Sequence, residues 1–353
     1  MKSQAPSEAK PALGIDIGGT KVRAALVGEG GDVLQAAERP TRGAGQGAGR
    51  VIEGIARLAR RCLTQSGTDG GPESVAPVAC GVGVAGQVEA GTGRVLSAPN
   101  LRWEGVPLGS RLEEALGLPV TVANDVRAAT WGEWREGAGR GLDDLVVLFV
   151  GTGIGGGVVS GGRVLEGAGG EAGELGHTPL VFEGRPCRCG AQGCLEAYAG
   201  GWAVAERAAE AAREDREAGA RLLRDAGGAP EKITARHVSE AAAEGDALAT
   251  RLAAETARYL GRGLAGVANV FNPERIVLGG GVIEGQPELV EEAGEQARAQ
   301  VLGPHAEGLE VTPAHLGGEA VAVGAALMAR GKEHASTGPR GAPCRAAAAS
   351  PLS

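Results

Sequence analysis

Residues 145–165 read LVVLFVGTGIGGGVVSGGRVL, and the parsing of this stretch decides the fold. LVVLFV is a continuous apolar run of strand length, the pattern of a buried strand. GTGIGGG then matches G-x-G-x-x-G, the phosphate turn of dinucleotide-binding folds. That turn works by opening a helix whose N-terminus receives the pyrophosphate. VVSGGRVL follows instead and reads as strand and turn, so the dinucleotide site is rejected. What remains is a strand, a glycine tip carrying Thr152, and a returning strand.

The same design opens the ordered chain. ALGIDI, from Ala12, is a buried strand reaching Asp16 and breaking into Gly18-Gly19-Thr20, and KVRAALV returns at once, as in a hairpin. Backbone N–H groups of such a tip and the Thr20 hydroxyl suit phosphate oxygens, and Asp16 offers a hard oxygen ligand to Mg2+ through water. A plain tight hairpin explains DIGGT as well. RIVLGGG at 275–281 supplies a third strand and glycine tip. Three tips spread over both halves point to two related α/β domains with a nucleotide in the cleft between them.

Between the tips the periodicities place further elements. Val51, Ile52, Ile55, Leu58, Ala59, Cys62 and Leu63 recur at helical spacing. VACGVGV is a strand, 108–116 a short helix closed by Gly117, and Asn100 lies in a loop with Trp103. PVTVAND is a strand stopping at Asn124-Asp125, with a helix after it. Asp125 fits either a helix N-cap or a reactive group at the carboxyl end of a strand. Helices are expected over 201–217, about 234–243, 246–271 and 287–301, then a strand LEVTPA and a last helix GGEAVAVGAALMAR. Residues 1–11 and the Ala-, Gly-, Pro- and Ser-rich segment 331–353 read as disordered tails.

Unusual residues collect in 167–200, GAGGEAGELGHTPLVFEGRPCRCGAQGCLEAYAG. His177, Cys187, Cys189 and Cys194 offer one imidazole and three thiolates, a donor set that suits structural Zn2+. The C-x-C-x4-C spacing is not the common one, and three free thiols in a reduced loop are the alternative. Cys62, Cys80 and Cys344 stand apart as ordinary reduced thiols.

Composition narrows the class. With 353 residues the chain exceeds one ordinary core, so two domains are expected, here 12–123 and 124–330, the second carrying the zinc loop 177–194. Aromatic residues are 3% of the chain, so the cores rest on Val, Leu, Ile and Ala. A formal charge of -8 without a basic run excludes an electrostatic nucleic-acid footprint. No stretch approaches the ~20 apolar residues of a membrane helix, and the first residues lack a signal segment, so a cytoplasmic protein is expected.

The ordered set DIGGTK (16–21), APNLRW (98–103), NDVRAATWGE (124–133), GTGIGGG (151–157), GELGH (173–177), CRCGAQGCLE (187–196) and LGGGV (278–282) resembles the ROK family of bacterial sugar kinases and repressors. The resemblance covers about 12–330 and implies the actin-like, ribonuclease H-like two-domain ATPase fold with an interdomain cleft. It implies that Asp125 is the catalytic base that takes the proton from a hexose 6-hydroxyl attacking the γ-phosphate of ATP. Asn100, Asn124, Asp125, Glu174, His177 and Glu196 match the sugar-binding positions. Asp16, Gly18, Gly19, Thr20, Lys21, Thr152, Gly153, Gly279 and Gly280 match the nucleotide-binding ones. Mg2+ would travel with ATP, Zn2+ would be structural, and His177 would give one ring nitrogen to Zn2+ and turn the other toward the sugar.

Glucose is the first expectation as acceptor. N-acetylglucosamine, N-acetylmannosamine, mannose and fructose are alternatives, and polyphosphate is left open as donor. A homodimer is implied. A repressor is disfavoured because about eleven residues precede the first glycine motif, too few for a helix-turn-helix domain. A catalytically dead sugar sensor is the third class, against which Asp125 and both phosphate segments stand.

Overall fold

The computed structural model describes residues 10–41, 47–64 and 76–336. The Gly-rich loop at 43–49, the loop SGTDGGPESVAP, most of the two tails and Cys344 lie wholly or largely outside the described residues.

Strands Ala12–Ile17 (β1) and Lys21–Val27 (β2) pair antiparallel around the 18–20 tip, and β2 pairs antiparallel with Val33–Pro40 (β3). Helix Ala48–Thr64 (α1) lays its apolar stripe on this sheet and buries Cys62. Cys80–Val84 (β4) joins β1 in parallel. Gln87–Val88 (β5), Val95–Ala98 (β6) and Trp103–Val106 (β7) form a small antiparallel sheet, so Trp103 opens a strand and not a loop. Helix Leu108–Leu116 (α2) ends on Gly117 in the left-handed region (φ 69), as expected of a glycine stop. Val120–Asn124 (β8) completes the first sheet in the order β3-β2-β1-β4-β8, and Asp125–Glu136 (α3) follows it.

Leu145–Val150 (β9), Ile154–Ser160 (β10) and Arg163–Val164 (β11) are antiparallel neighbours, so the stretch quoted first is a hairpin and not a strand-to-helix turn. After Glu196–Ala199 (α4) the chain is helical through Gly201–Glu214 (α5), Ala220–Asp225 (α6), Ala235–Ala243 (α7) and Ala247–Phe271 (α8). Asp246 caps α8 by accepting the Ala249 N–H at 2.9 Å. Arg275–Gly279 (β12) joins β9 in parallel, Gly281–Gly285 (α9) and Glu288–Arg298 (α10) follow, and after His305–Gly308 (α11) the strand Glu310–Pro313 (β13) joins β12. The third glycine segment therefore opens a short helix instead of a hairpin, with Gly280 at φ 92 making the turn. The second sheet runs β11-β10-β9-β12-β13. Numbered within each sheet, both read 3-2-1-4-5 with the same alternation of antiparallel and parallel pairs.

The last helix, Ala320–Ser336 (α12), reaches across the division expected at 123 and 124. It follows the second sheet in sequence but packs on β1, β2 and β4 of the first, where Ala322, Val323 and Ala326 are buried with Ala12, Ala25 and Val27. It also crosses α3, which reaches back to β10. Each half thus sends its closing helix into the other's territory. α12 also continues to Ser336, so 331–336 is helix and not tail. Gly14 and Gly81 let α12 lie this close, since a methyl group at either would overlap a backbone carbonyl of Ala322 or Ala325. α5 stops at Glu214, short of the expected 217, and α10 at Arg298, short of 301.

Candidate active site

Asn124 and Asp125 sit where β8 turns into α3. The cap of this helix is Asn124, whose Oδ1 accepts the N–H groups of Val126 (2.9 Å) and Arg127 (3.2 Å). Its Nδ2 donates to Gly86 O at 3.2 Å, which ties the helix start to the loop after β4. Asp125 is thereby relieved of capping, although its Oδ1 also accepts the Val126 N–H at 2.9 Å. Burial is the main force on the Asp125 carboxyl and pushes its pKa above the usual range, against the pull of these hydrogen bonds. Asp16, at the end of β1, is raised to about 7, first by burial and then by the like charge of Asp125. Two carboxylates from two strand ends thus share one desolvated corner.

A cavity of about 620 Å3 opens beside them between the halves. Gly86, Ser97 and Pro99 line one side, and Asn124, Glu174 and His177 lie on its polar wall with Arg127 and Glu171. Glu171 belongs to the unusual 167–200 cluster and Arg127 to the 124–133 motif, neither with an expected role. Asn100 is not among the lining residues, and its side chain lies over the first tip, 3.2 Å from where a Cβ on Gly19 would stand.

His177 Nδ1 lies 3.7 Å from Cys187 Sγ, Cys189 Sγ lies 3.8 Å from Cys194 Sγ, and all four donor atoms lie within 4.8 Å of one another. His177 Nε2 faces the other way, 4.0 Å from Glu174. The ring therefore turns Nδ1 toward the thiols and Nε2 toward Glu174 on the cavity wall.

Glu196 departs from expectation. It is not in the cavity lining, and its carboxylate accepts the Ile154 N–H (2.8 Å) and the Trp202 indole N–H (3.1 Å). It braces the second glycine tip in this structure. Next to that tip lies a second cavity of about 940 Å3, lined by Gly151, Thr152, Trp202, Ser239 and Gly281. Gly153, Gly279 and Gly280 border the same turn without lining it. Gly18, Gly19 and Thr20 form the tip of the first sheet, closed by the Gly18 N–H to Lys21 O bond of 3.0 Å. The Lys21 ammonium is paired with Glu38 at 3.0 Å along the sheet edge.

Two twinned sheets, a glycine tip after the first strand of each, and a polar cavity near a desolvated aspartate fit a cleft ATPase that handles a small polyhydroxyl or similarly polar ligand. The model of the ROK family matches residues 12–332, and the chain belongs to that family. It is 35% identical to the glucokinase of Streptomyces coelicolor over 90% of this chain and 97% of the relative. It is 34% identical to the N-acetylmannosamine kinase of Escherichia fergusonii over 91% of this chain and 99% of the relative. The crystal structure of a ROK family glucokinase from Streptomyces griseus in complex with glucose and AMPPNP superposes with a TM-score of 0.77 at 38% identity, covering 91% of this chain and 99% of that one. The fold is accordingly the actin-like ATPase fold. Among the described residues no helix is long and apolar enough to cross a membrane.

Proposed function

We propose that the protein transfers the γ-phosphoryl group of ATP to the 6-hydroxyl of a hexose, with glucose as the preferred acceptor. The observation that carries this reading is the largely desolvated Asp125, its pKa raised, next in sequence to the cavity-lining Asn124 and close enough to Asp16, just ahead of the first glycine tip, to raise that carboxyl too. A desolvated carboxylate with a raised pKa is the better proton acceptor. Asp125 takes the hydroxyl proton as the oxygen attacks, while Asn124, Glu174 and His177 orient the sugar. The Gly18–Thr20 and Gly151–Gly153 segments hold the phosphates, and Asn100 and Glu196 join the sugar when the cleft closes.

Asp16 and Asp125 bring two like charges into one desolvated corner, only partly offset at Asp16 by Lys21 and Arg23, and such a carboxylate pair fits a hard cation. Asp16 would hold Mg2+ through water, and that ion neutralises phosphate charge when bound. Phosphoryl transfer asks little covalent help of a protein, so positioning and charge stabilisation supply most of the rate. The His177, Cys187, Cys189 and Cys194 donors fit tetrahedral Zn2+, which would fix the imidazole and the loop that carries Glu174. The reading further takes the protein to be a cytoplasmic homodimer.

The test is ADP release with ATP and Mg2+ across glucose, mannose, fructose, N-acetylglucosamine and N-acetylmannosamine. Glucose giving by far the highest kcat/KM is the expected result. Preference for an acetylated sugar, the specificity that the name of the 34% identical relative carries, keeps the base and replaces the substrate. Silence on every sugar sinks the kinase reading in favour of a sensor.

A further inference from the structure

Arg127 lies in the first turn of α3, two residues after Asp125, and lines the cavity proposed to hold the sugar. A cation there faces the positive end of the helix dipole, so the local sequence context does not favour it. Its guanidinium is instead spent on tertiary structure, with Nη2 donating to Gly170 O. Gly170 belongs to the loop after β11, which also brings Leu165, Glu171 and Ala172 to the cavity wall. That loop turns on Gly167, Gly170 and Gly173, at φ 71, 80 and 102, and closes on itself through the Ala172 N–H to Glu166 O bond of 3.1 Å. Among the described residues no other hydrogen bond links residues 167–171 to the rest of the chain. Across the mouth, a Cβ on Gly170 would stand 3.8 Å from that of Ala90 in the turn after β5, so the loop meets the first half of the molecule there.

We propose that Arg127 is a positioning residue that latches the 166–173 loop over the sugar cavity, holding Glu171 and Glu174 in place and limiting which hexoses fit. The proposal rests on the reading of this cavity as the sugar site. A charge-assisted bond to a carbonyl is among the stronger single hydrogen bonds. Losing it frees a glycine-rich loop that has little else to hold it.

The first arm needs no substrate. Amide hydrogen exchange of 166–173 is compared between wild type, Arg127→Ala and Arg127→Lys, with the Cys187–Cys194 segment as internal reference. Faster exchange in the loop alone, largely restored by lysine, is expected. Unchanged loop exchange in Arg127→Ala overturns the latch. The second arm is kinetic: Arg127→Ala should raise the hexose KM roughly tenfold or more, lower kcat far less, and narrow the preference for glucose over bulkier 2-acetamido sugars. A fall in kcat with KM unmoved also overturns it. An inactive wild type would remove the sugar-site reading, while the exchange arm still decides whether Arg127 holds the loop.

Discussion

Asp125 carries its role through its surroundings more than through its identity, and Asn124 is what frees it. With Asn124 taking the helix cap, the aspartate can accept a proton without dismantling α3. Asp125→Asn keeps shape and burial but removes the base. It should lower kcat by about 10²–10⁴ with sugar affinity within a few-fold, measured by ADP release and calorimetric titration. An unchanged rate rejects the base assignment. Asp16 adds a pH signature. Its folded pKa of about 7 lies above the ordinary aspartate value of 3.8, so between the two values the folded state keeps a proton that the unfolded chain has already lost. Stability from this group is highest below the lower value, falls as pH rises through the window, and is fully lost above the upper one. Asp16→Asn should therefore gain more in Tm over wild type at pH 8 than at pH 5. An equal gain at both pH values contradicts the raised carboxyl.

Among the elements, α12 shows how small residues set a packing distance. A methyl group on Gly81 would overlap the Ala325 carbonyl in the backbone of that helix, and backbone cannot step aside as a side chain can. Gly81→Ala should cost at least the ~1–3 kcal/mol of ordinary overpacking in urea denaturation. Gly266, exposed within α8 with nothing within 4 Å of its absent Cβ, is the control. Gly266→Ala should stabilise by ~0.5–1 kcal/mol. The 177–194 loop owes its shape to a different cause. Ala197 and Trp202 are buried beside Cys187 and Cys194 in a small cluster, and backbone bonds such as Leu180 N–H to Gly193 O and Cys187 N–H to Ala191 O tie the loop to itself; the donor set is proposed as a further clamp. A chelator should release close to one Zn2+ per chain, lower Tm and weaken sugar binding through His177. Protein purified without zinc and showing full activity would refute the structural-metal assignment.

At the level of the whole molecule, α3 and α12 cross where the two halves meet, so a closure of one half on the other would turn about that crossing. Glu133, fully buried in α3, accepts the N–H groups of Ala138 (2.9 Å), His315 (3.0 Å) and Leu316 (2.7 Å), joining the two connections at that crossing. Closure over both ligands should shrink the radius of gyration in small-angle scattering with glucose plus a non-hydrolysable ATP analogue, more than with either alone. No change with both present would argue for a rigid cleft.

The two sheets were legible because their information is local: an apolar run, a glycine tip and a returning strand fall within about fifteen contiguous residues, as at Ala12–Val27 and Leu145–Ser160. The cluster of His177 with Cys187, Cys189 and Cys194 was legible because its thiols are close in sequence and chemically distinctive. The tertiary structure alone decided where α12 packs, that Asn124 rather than Asp125 caps α3, and that Glu196 braces the Ile154 turn in this arrangement. It alone also brought Arg127 to Gly170 and Glu133 to His315, partners 43 and 182 residues apart. Periodicity and spacing report which face of an element is buried, but not which distant backbone group a polar side chain will reach, because that is fixed only when the two halves fold against each other.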